Sequence, residues 1–250
     1  HELFRFSNRR PWRTIVGGSQ KYVRALTATF SDNIHTNRGV RSIHRSLEKV
    51  AVVDEFGKVQ YYDHVVMAVP ADQAIQILNN PTNDESRLLG AFRYTRNAAV
   101  LHGDDCLMPR RKSVWSSWNY ICEDNNPHGP VSVTYWMNHL HGLVDERPLF
   151  LTLNPMREPR PETAVKTFKY RHPLFDSSAL EAQRELGILQ GEHRTWFCGS
   201  YFGAGFHEDA LRSGLAVGEA LGGTRKPWVI ANDQGYISNS LPRQPTRIKT

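Results

Sequence analysis

From residue 14 onward the chain alternates between two hydrophobic rhythms. In "TIVGGSQKYVRALTATF" the apolar positions Tyr22, Val23, Leu26 and Phe30 recur at helical spacing behind the flexible pair Gly17 and Gly18, with Ser19 placed to cap the helix. The next stretch, "IHTNRGVRSIHRSLEKVAVVDEFGKVQYYDHVVMAVP", changes to successive strand-like runs. Gly39 can supply a bulge, "DEFG" predicts a hairpin turn, and "HVVMAV" predicts a short apolar strand that Pro70 ends. Beyond Pro70 the period is helical again: Ala71, Ala74, Ile75 and Leu78 share a face until Asn79, Asn80 and Pro81 close it. "DESRLLGAF" predicts a further short helix.

Between Ala98 and Leu153 the segments "NAAVLH", "SVWSSWNYI", "VSVTYWMNHL" and "LFLTLN" predict strands. Their hairpin-sized joins leave little room for crossover helices, so the sheet should be largely antiparallel. Residues 154–165 are rich in proline and charge and predict a loop, and His172 before Pro173 is expected to structure another. Asp176 or Ser178 caps a helix through "SALEAQRELGILQ", "RTWFCGSYF" predicts a buried strand, and a helix follows from about residue 208 to 221. Past Trp228 the chain is polar and turn-forming, which predicts a tail or surface extension. The elements together specify an α+β (mixed α/β) fold without internal repeats.

Composition narrows the function classes. The 250 residues are 40% hydrophobic and 22% charged, an ordinary globular balance. The formal net charge of +6 is dispersed, and the densest basic run is only Arg110, Arg111 and Lys112. A nucleic-acid footprint would need a clustered face, so no nucleic-acid partner is expected. The three cysteines, Cys106, Cys122 and Cys198, include no C-x-x-C pair, which argues against a disulfide framework or structural zinc. With no signal peptide and no run of about 18 apolar residues, a cytoplasmic protein without a transmembrane segment is expected.

The candidate chemistry sits in "WFCGSYFGAGFHEDALRSGLAVGEALGG", residues 196–223, where an apolar strand opens into glycines and then a helix. The first amides of a helix have no internal partner, and the aligned peptide dipoles favour negative charge there. Gly199, Gly203 and Gly205 would let a flat or anionic ligand approach the backbone; equally, Glu208 and Asp209 can simply complement the helix dipole. A dinucleotide fingerprint is excluded, because G-x-G-x-x-G would need glycine where the chain has Glu208. His102, Asp104 and Asp105 match no metal spacing, and no metal is expected. Trp118, Tyr120, Tyr135, Trp136, Met137, His139 and His141 divide between core packing and an apolar substrate cavity.

The segment 199–221 resembles the C-terminal flavin motif of the flavin-containing amine oxidase and phytoene desaturase superfamily. "WRTIVGGSQKYVRAL", "GVRSIHR" and "YYDHVVMAVPADQAIQIL" are similar to further elements of that superfamily. Within it, "AAVLHGDDCLMPRRKSVWSSWNY", "VTYWMNHLHGL", "TLNP" and "GAGFHEDALRSGLAVGEALG" most resemble a bacterial and plant group of NAD/FAD-binding, amine-oxidase-like proteins, over most of residues 12–223. The resemblance implies an FAD-dependent oxidoreductase that transfers hydride from an undetermined small or lipid-like organic substrate to flavin. It implies that Val40 meets the adenine side of FAD and that Ala68, Val69 and Pro70 pass near the dinucleotide. Gly199 and Ser200 precede the pyrophosphate and ribityl contacts, while Phe206, His207, Glu208 and Ala210 lie at the pyrimidine edge of the flavin. His207 is the candidate catalytic side chain.

The family's N-terminal G-x-G-x-x-G unit has no counterpart in these residues. The chain is therefore expected to bind FAD weakly or not at all by itself and to be inactive alone, with a non-catalytic or partner-completed protein as the alternative. The expected division is 1–90 as partial FAD-domain segments and 91–190 as a substrate-domain sheet with a helix. Residues 191–225 form the return strand, glycine turn and helix, and 226–250 an extension. The sequence leaves the oligomeric state open.

Overall fold

A computed structural model describes residues 13–122, 129–144, 147–225 and 227; the expected 226–250 extension lies almost wholly outside them. In chain order the elements are α1 (Ser19–Thr27), β1 (Val40–Arg45), β2 (Val50–Asp54), β3 (Val59–Tyr62), β4 (Val65–Met67), α2 (Ala71–Ile77), α3 (Asn83–Gly90), β5 (Arg93–His102), β6 (Trp118–Cys122), β7 (Val131–Trp136), α4 (Met137–His141), β8 (Phe150–Leu153), β9 (Ala164–Leu174), α5 (Ser177–Glu185), β10 (Thr195–Phe197) and α6 (His207–Ala220). The fold is mixed helix and sheet, as the pattern predicts. The chain divides into two compact units, one of residues 1–37 with 98–168, the other of 38–97 with 169–250. It passes from one to the other after Asn37, inside β5 and again inside β9.

Residues 38–97 and 169–250 hold the larger core. Strands β1, β2 and β3 form an antiparallel meander, with an irregularity between Val40 and Ser42, beside the glycine expected to bulge. β4 and β10 form a separate two-stranded parallel pair. Met67, Ala71, Ala74, Leu78, Leu88, Leu89, Phe92, Phe197, Tyr201 and Phe202 converge in one apolar cluster with the buried face of α5. Among the described residues the far edge of β10 meets no strand; the Gly191 N–H donates to the Thr195 carbonyl at 2.9 Å and the Gln190 side chain covers Phe197. The Gln190 amide accepts from the Phe197 N–H at 2.9 Å and donates to the Phe197 carbonyl at 2.8 Å, reproducing the two bonds a neighbouring strand would make.

An ion pair joins the pieces of this unit. Arg45, at the end of β1, pairs with Glu85 of α3, and the side chains are 7% and 2% exposed. The same guanidinium donates to the Asn80 carbonyl at 2.6 Å and reaches the Thr195 hydroxyl at 3.5 Å. Glu85 also completes a capping box, accepting from the Thr82 N–H at 2.7 Å while the Thr82 hydroxyl accepts from the Glu85 N–H at 3.1 Å. Burial alone would raise the Glu85 carboxyl, but the Arg45 guanidinium and the Thr82 amide bring it below its usual range.

The third sheet has the order β6–β7–β8–β5–β9, with β6, β7, β8 and residues 98–102 of β5 in the other unit, and β6 with β7, β7 with β8 and β8 with β5 pair antiparallel. Strand alternation holds, and the buried face mixes apolar and polar side chains: Asn119, Ser132, Thr134 and Thr152 are buried alongside Val100 and Phe150, while Tyr120 is 75% exposed. Hydrogen bonding explains the polar members. The Asp104 N–H donates to His102 Nδ1 at 3.1 Å, so His102 Nε2 carries the proton and donates to the Thr152 hydroxyl at 2.7 Å. Thr152 contacts Thr134 at 2.9 Å, and Thr134 donates to the Leu107 carbonyl. "WMNHL" is not a continuous strand, because Met137–His141 turns into α4, closed by Gly142 at φ 61°. His172 lies within β9 rather than a loop, its Nδ1 2.9 Å from Asn97 Nδ2. Ser19 is the first helical residue of α1 and Gly18 takes the cap position.

Two outcomes follow. Replacing Glu85 with Ala leaves the Arg45 charge buried and unpaired, and urea unfolding should show a loss of about 3–5 kcal/mol. Burial holds the His102 imidazole below its usual value. The unfolded chain therefore takes up a proton below about pH 6.5 that the folded chain resists, so stability present at neutral pH declines as pH falls from there. Thermal unfolding between pH 7 and pH 5 should be steeper in pH for the wild type than for His102→Gln; equal slopes would remove His102 from the account.

Candidate functional site

The structure places two of the sequence-predicted groups at one end of one sheet. β4 and β10 run parallel with Met67 opposite Phe197, and the Cys198 N–H donates to the Met67 carbonyl at 3.1 Å. Ala68, Val69 and Pro70 therefore leave β4 beside the point where Gly199 and Ser200 leave β10. Carboxyl ends of adjacent parallel strands are where open α/β sheets place ligands. Val40 stands apart from them, at the start of β1 in the meander, and is 41% exposed. Cys198 is buried, and burial raises its thiol, consistent with a small apolar role.

Behind the strand ends the glycine turn is fixed by polar side chains. Gln183 on α5 donates to the carbonyls of Tyr201 and Gly203, both at 2.7 Å. The Ser213 hydroxyl of α6 accepts from the Gly199 N–H at 2.9 Å and donates to the Ala210 carbonyl at 2.9 Å. Asp209 accepts from the Phe206 N–H at 2.9 Å, which is half of a capping box; phenylalanine offers no side-chain acceptor for the other half.

The glycines also leave room for neighbouring side chains. A Cβ at Gly203 would meet the Asp209 carboxyl at 2.4 Å, and one at Gly199 would meet the Tyr201 ring at 2.8 Å. At Gly205, φ 91°, it would meet the Phe175 ring at 2.9 Å. The space these residues vacate is filled by the protein's own side chains. Open donors lie one step further on. Phe206, His207 and Glu208 are exposed at the start of α6, Ala210 is half-buried, and among the described residues the N–H groups of His207 and Glu208 have no acceptor. Those two amides are the anion-attracting feature, and the His207 side chain stands at the same exposed turn.

Sequence reasoning missed Gln183, Gln190 and Ser213. The signal was present for two of them: Gln183 interrupts the apolar face Ala179, Ala182 and Leu186, and Ser213 lies between Asp209 and Val217 at four-residue spacing on the buried side of α6. Gln190, a lone residue after a short turn, carries no periodic signal.

In the other unit, Asp104, Asp105 and Cys106 bring three potential ligand atoms within 4.8 Å of one another. The Asp104 carboxylate is already committed to the amides of Cys106 at 3.0 Å and Arg160 at 2.9 Å, which with the Arg160 guanidinium hold it well below its ordinary range against the upward push of burial. Of the aromatic residues, Trp136 and His139 stack at 5.2 Å and line a cleft of about 510 Å³ with Trp115 and Lys112. Tyr120 lines a second cleft of about 620 Å³.

Parallel strand ends, a constrained turn and a helix start with open amides thus stand together in a mixed helix-and-sheet fold of the FAD-dependent oxidoreductase type. The chain belongs to the family described as flavin containing amine oxidoreductase, whose sequence profile matches residues 1–221. Solved structures agree at the level of fold. A CLA-producing fatty acid isomerase from P. acnes is 14% identical with a TM-score of 0.54, the match covering 78% of this chain and 50% of that one. Reduced UDP-galactopyranose mutase is 13% identical at a TM-score of 0.55, covering 82% and 52%. A putrescine oxidase is 13% identical at 0.54, covering 80% and 51%. The chain thus spans about half the length of the structures it matches. No curated sequence matches it significantly. Among the described residues no helix is long and apolar enough to cross a membrane.

The turn geometry yields a double-mutant test. Gly203→Ala should displace the Asp209 carboxyl and cost about 1–3 kcal/mol of stability. In an Asp209→Ala background the same change should cost much less, and an undiminished cost would show that the Gly203–Asp209 contact is not the reason for the glycine.

Proposed function

We propose that this chain supplies the flavin-ring end of the cofactor site and the substrate-side sheet of an FAD-dependent oxidoreductase acting on a small or lipid-like organic molecule. The reading rests on one observation: the unpartnered amides of His207 and Glu208 at the start of α6, beside a turn held by Gln183 and Ser213. Phe206, His207, Glu208 and Ala210 would meet the pyrimidine edge of the ring, and Gly199 and Ser200 the ribityl and pyrophosphate side. Ala68, Val69 and Pro70 would line the dinucleotide, with Val40 toward the adenine. When bound, FAD would accept a hydride from the substrate.

The protein's part at the ring is electrostatic. Two fixed N–H donors at the positive end of a 14-residue helix favour negative charge, and they do so without a titrating side chain. The His207 imidazole would then act as a bystander or substrate contact rather than as the source of stabilisation.

A second reading, a partner-completed site, is favoured by specific features. Among the described residues β4 has β10 on one side and no strand on the other, and isolated two-stranded arrangements are marginal in water. None of the nine residues of α1 is buried, and its Leu26 is 67% exposed. Short helices likewise need a packing partner. On this reading the chain binds FAD firmly only beside another polypeptide that carries the phosphate contacts.

Hydrogen–deuterium exchange tests both. FAD alone should bind the purified chain weakly, and at high concentration it should slow exchange at residues 68–70 and 199–210. His207→Ala should keep that protection. His207→Pro removes the first helical amide, and Phe206 is already extended as a residue before proline requires, so the helix should persist while protection falls. Protection confined to other segments, or equal behaviour of the two variants, would refute the assignment.

A further inference from the structure

The unit built from residues 1–37 and 98–168 contains a cleft of about 620 Å³, within the range of roughly 300–1,000 Å³ typical of small-molecule sites. Leu107, Met108, Ile121 and Met156 contribute apolar walls, and Arg110 and Arg157 contribute two guanidinium groups. Among the described residues that line it there is no carboxylate. Arg157 donates to the Cys106 carbonyl, which fixes its position at the rim with further N–H groups to spare. Arg110 makes no ion pair among the described residues.

We propose that this cleft binds an amphipathic organic anion, an apolar chain ending in a carboxylate. The chemistry is complementary at both ends. The walls of Leu107, Met108, Ile121 and Met156 exclude water from a hydrocarbon chain, and the forked guanidinium donors match the two oxygens of a carboxylate. A cationic amphiphile would meet two like charges. A small inorganic anion would leave the apolar walls wet, and a neutral alcohol would leave both arginines without a counter-charge. The inference does not depend on flavin binding.

Two cysteines report on occupancy. Cys106 and Cys122 line the cleft and are exposed, whereas Cys198 is buried in the other unit. The test uses the full chain and follows iodoacetamide alkylation of each cysteine by peptide mass spectrometry, with dodecanoate below its micelle concentration, dodecanol or inorganic phosphate. Dodecanoate should slow alkylation of Cys106 and Cys122 about tenfold, while dodecanol and phosphate at the same concentration should not, and Cys198 should stay unreactive throughout. The half-protecting concentration should rise about tenfold or more in Arg110→Gln and in the double variant with Arg157→Gln, consistent with loss of a charge-assisted pair. Arg110→Gln breaks no hydrogen bond or ion pair among the described residues, so it separates the anion interaction from folding. Absence of protection, equal protection by dodecanol or by phosphate alone, or an unchanged Arg110→Gln response would overturn the proposal.

Discussion

The unit that carries the glycine turn and α6 depends on the pairing of Arg45 with Glu85. One guanidinium and one carboxylate, both nearly out of water, link the end of β1, the first turn of α3, the Asn80 carbonyl and the entry to β10. Such a pair is costly to bury and costlier to break, so its value lies in fixing geometry. The strand it touches at Thr195 delivers Gly199 four residues later, and a displaced β10 would displace the whole turn. Gln190 closes the outer edge of β10, and Gln183 and Ser213 set the backbone beyond it. Polar side chains in apolar surroundings thus fix the turn that leads into α6.

That arrangement explains which features were legible in the sequence. The helices after Pro70 and Thr82, the meander around "DEFG" and the final helix declare themselves by apolar period and by caps, and the structure has them. The glycine turn was also visible, but its cause was not. Composition alone cannot distinguish a glycine that admits a ligand from one that makes room for Asp209 or Phe175, because the neighbours come from distant positions or the next turn. The same limit applies to the sheet of β5 to β8. Its alternation was clear and its aromatic residues were divided between core and cavity, but the buried Thr134 and Thr152 were not foreseen, because the hydrogen-bond chain from His102 that satisfies them joins positions far apart in sequence. Arg45 and Glu85, 40 residues apart, left no local signature of their pairing.

Family membership and fold agree, while the chemistry is carried by few groups. The residues that resemblance assigned to FAD separate structurally: 68–70 and 199–200 meet at neighbouring strand ends, the 206–210 group begins α6, and Val40 belongs to another sheet. A cofactor as long as FAD would need such dispersed contacts, and a ring-sized ligand would need only the second and third. The unit with the antiparallel sheet offers two separate clefts, one with an aromatic wall and one with two arginines.

The central claim is that the flavin ring is recognised by backbone donors at the start of α6. A crystal structure of the chain soaked with lumiflavin, which has the ring and no phosphates, tests it most directly. The account predicts the pyrimidine edge of the ring hydrogen-bonded to the amides of His207 and Glu208, beside Phe206. A ring seated elsewhere, or an α6 start that stays free at saturating lumiflavin, would contradict it.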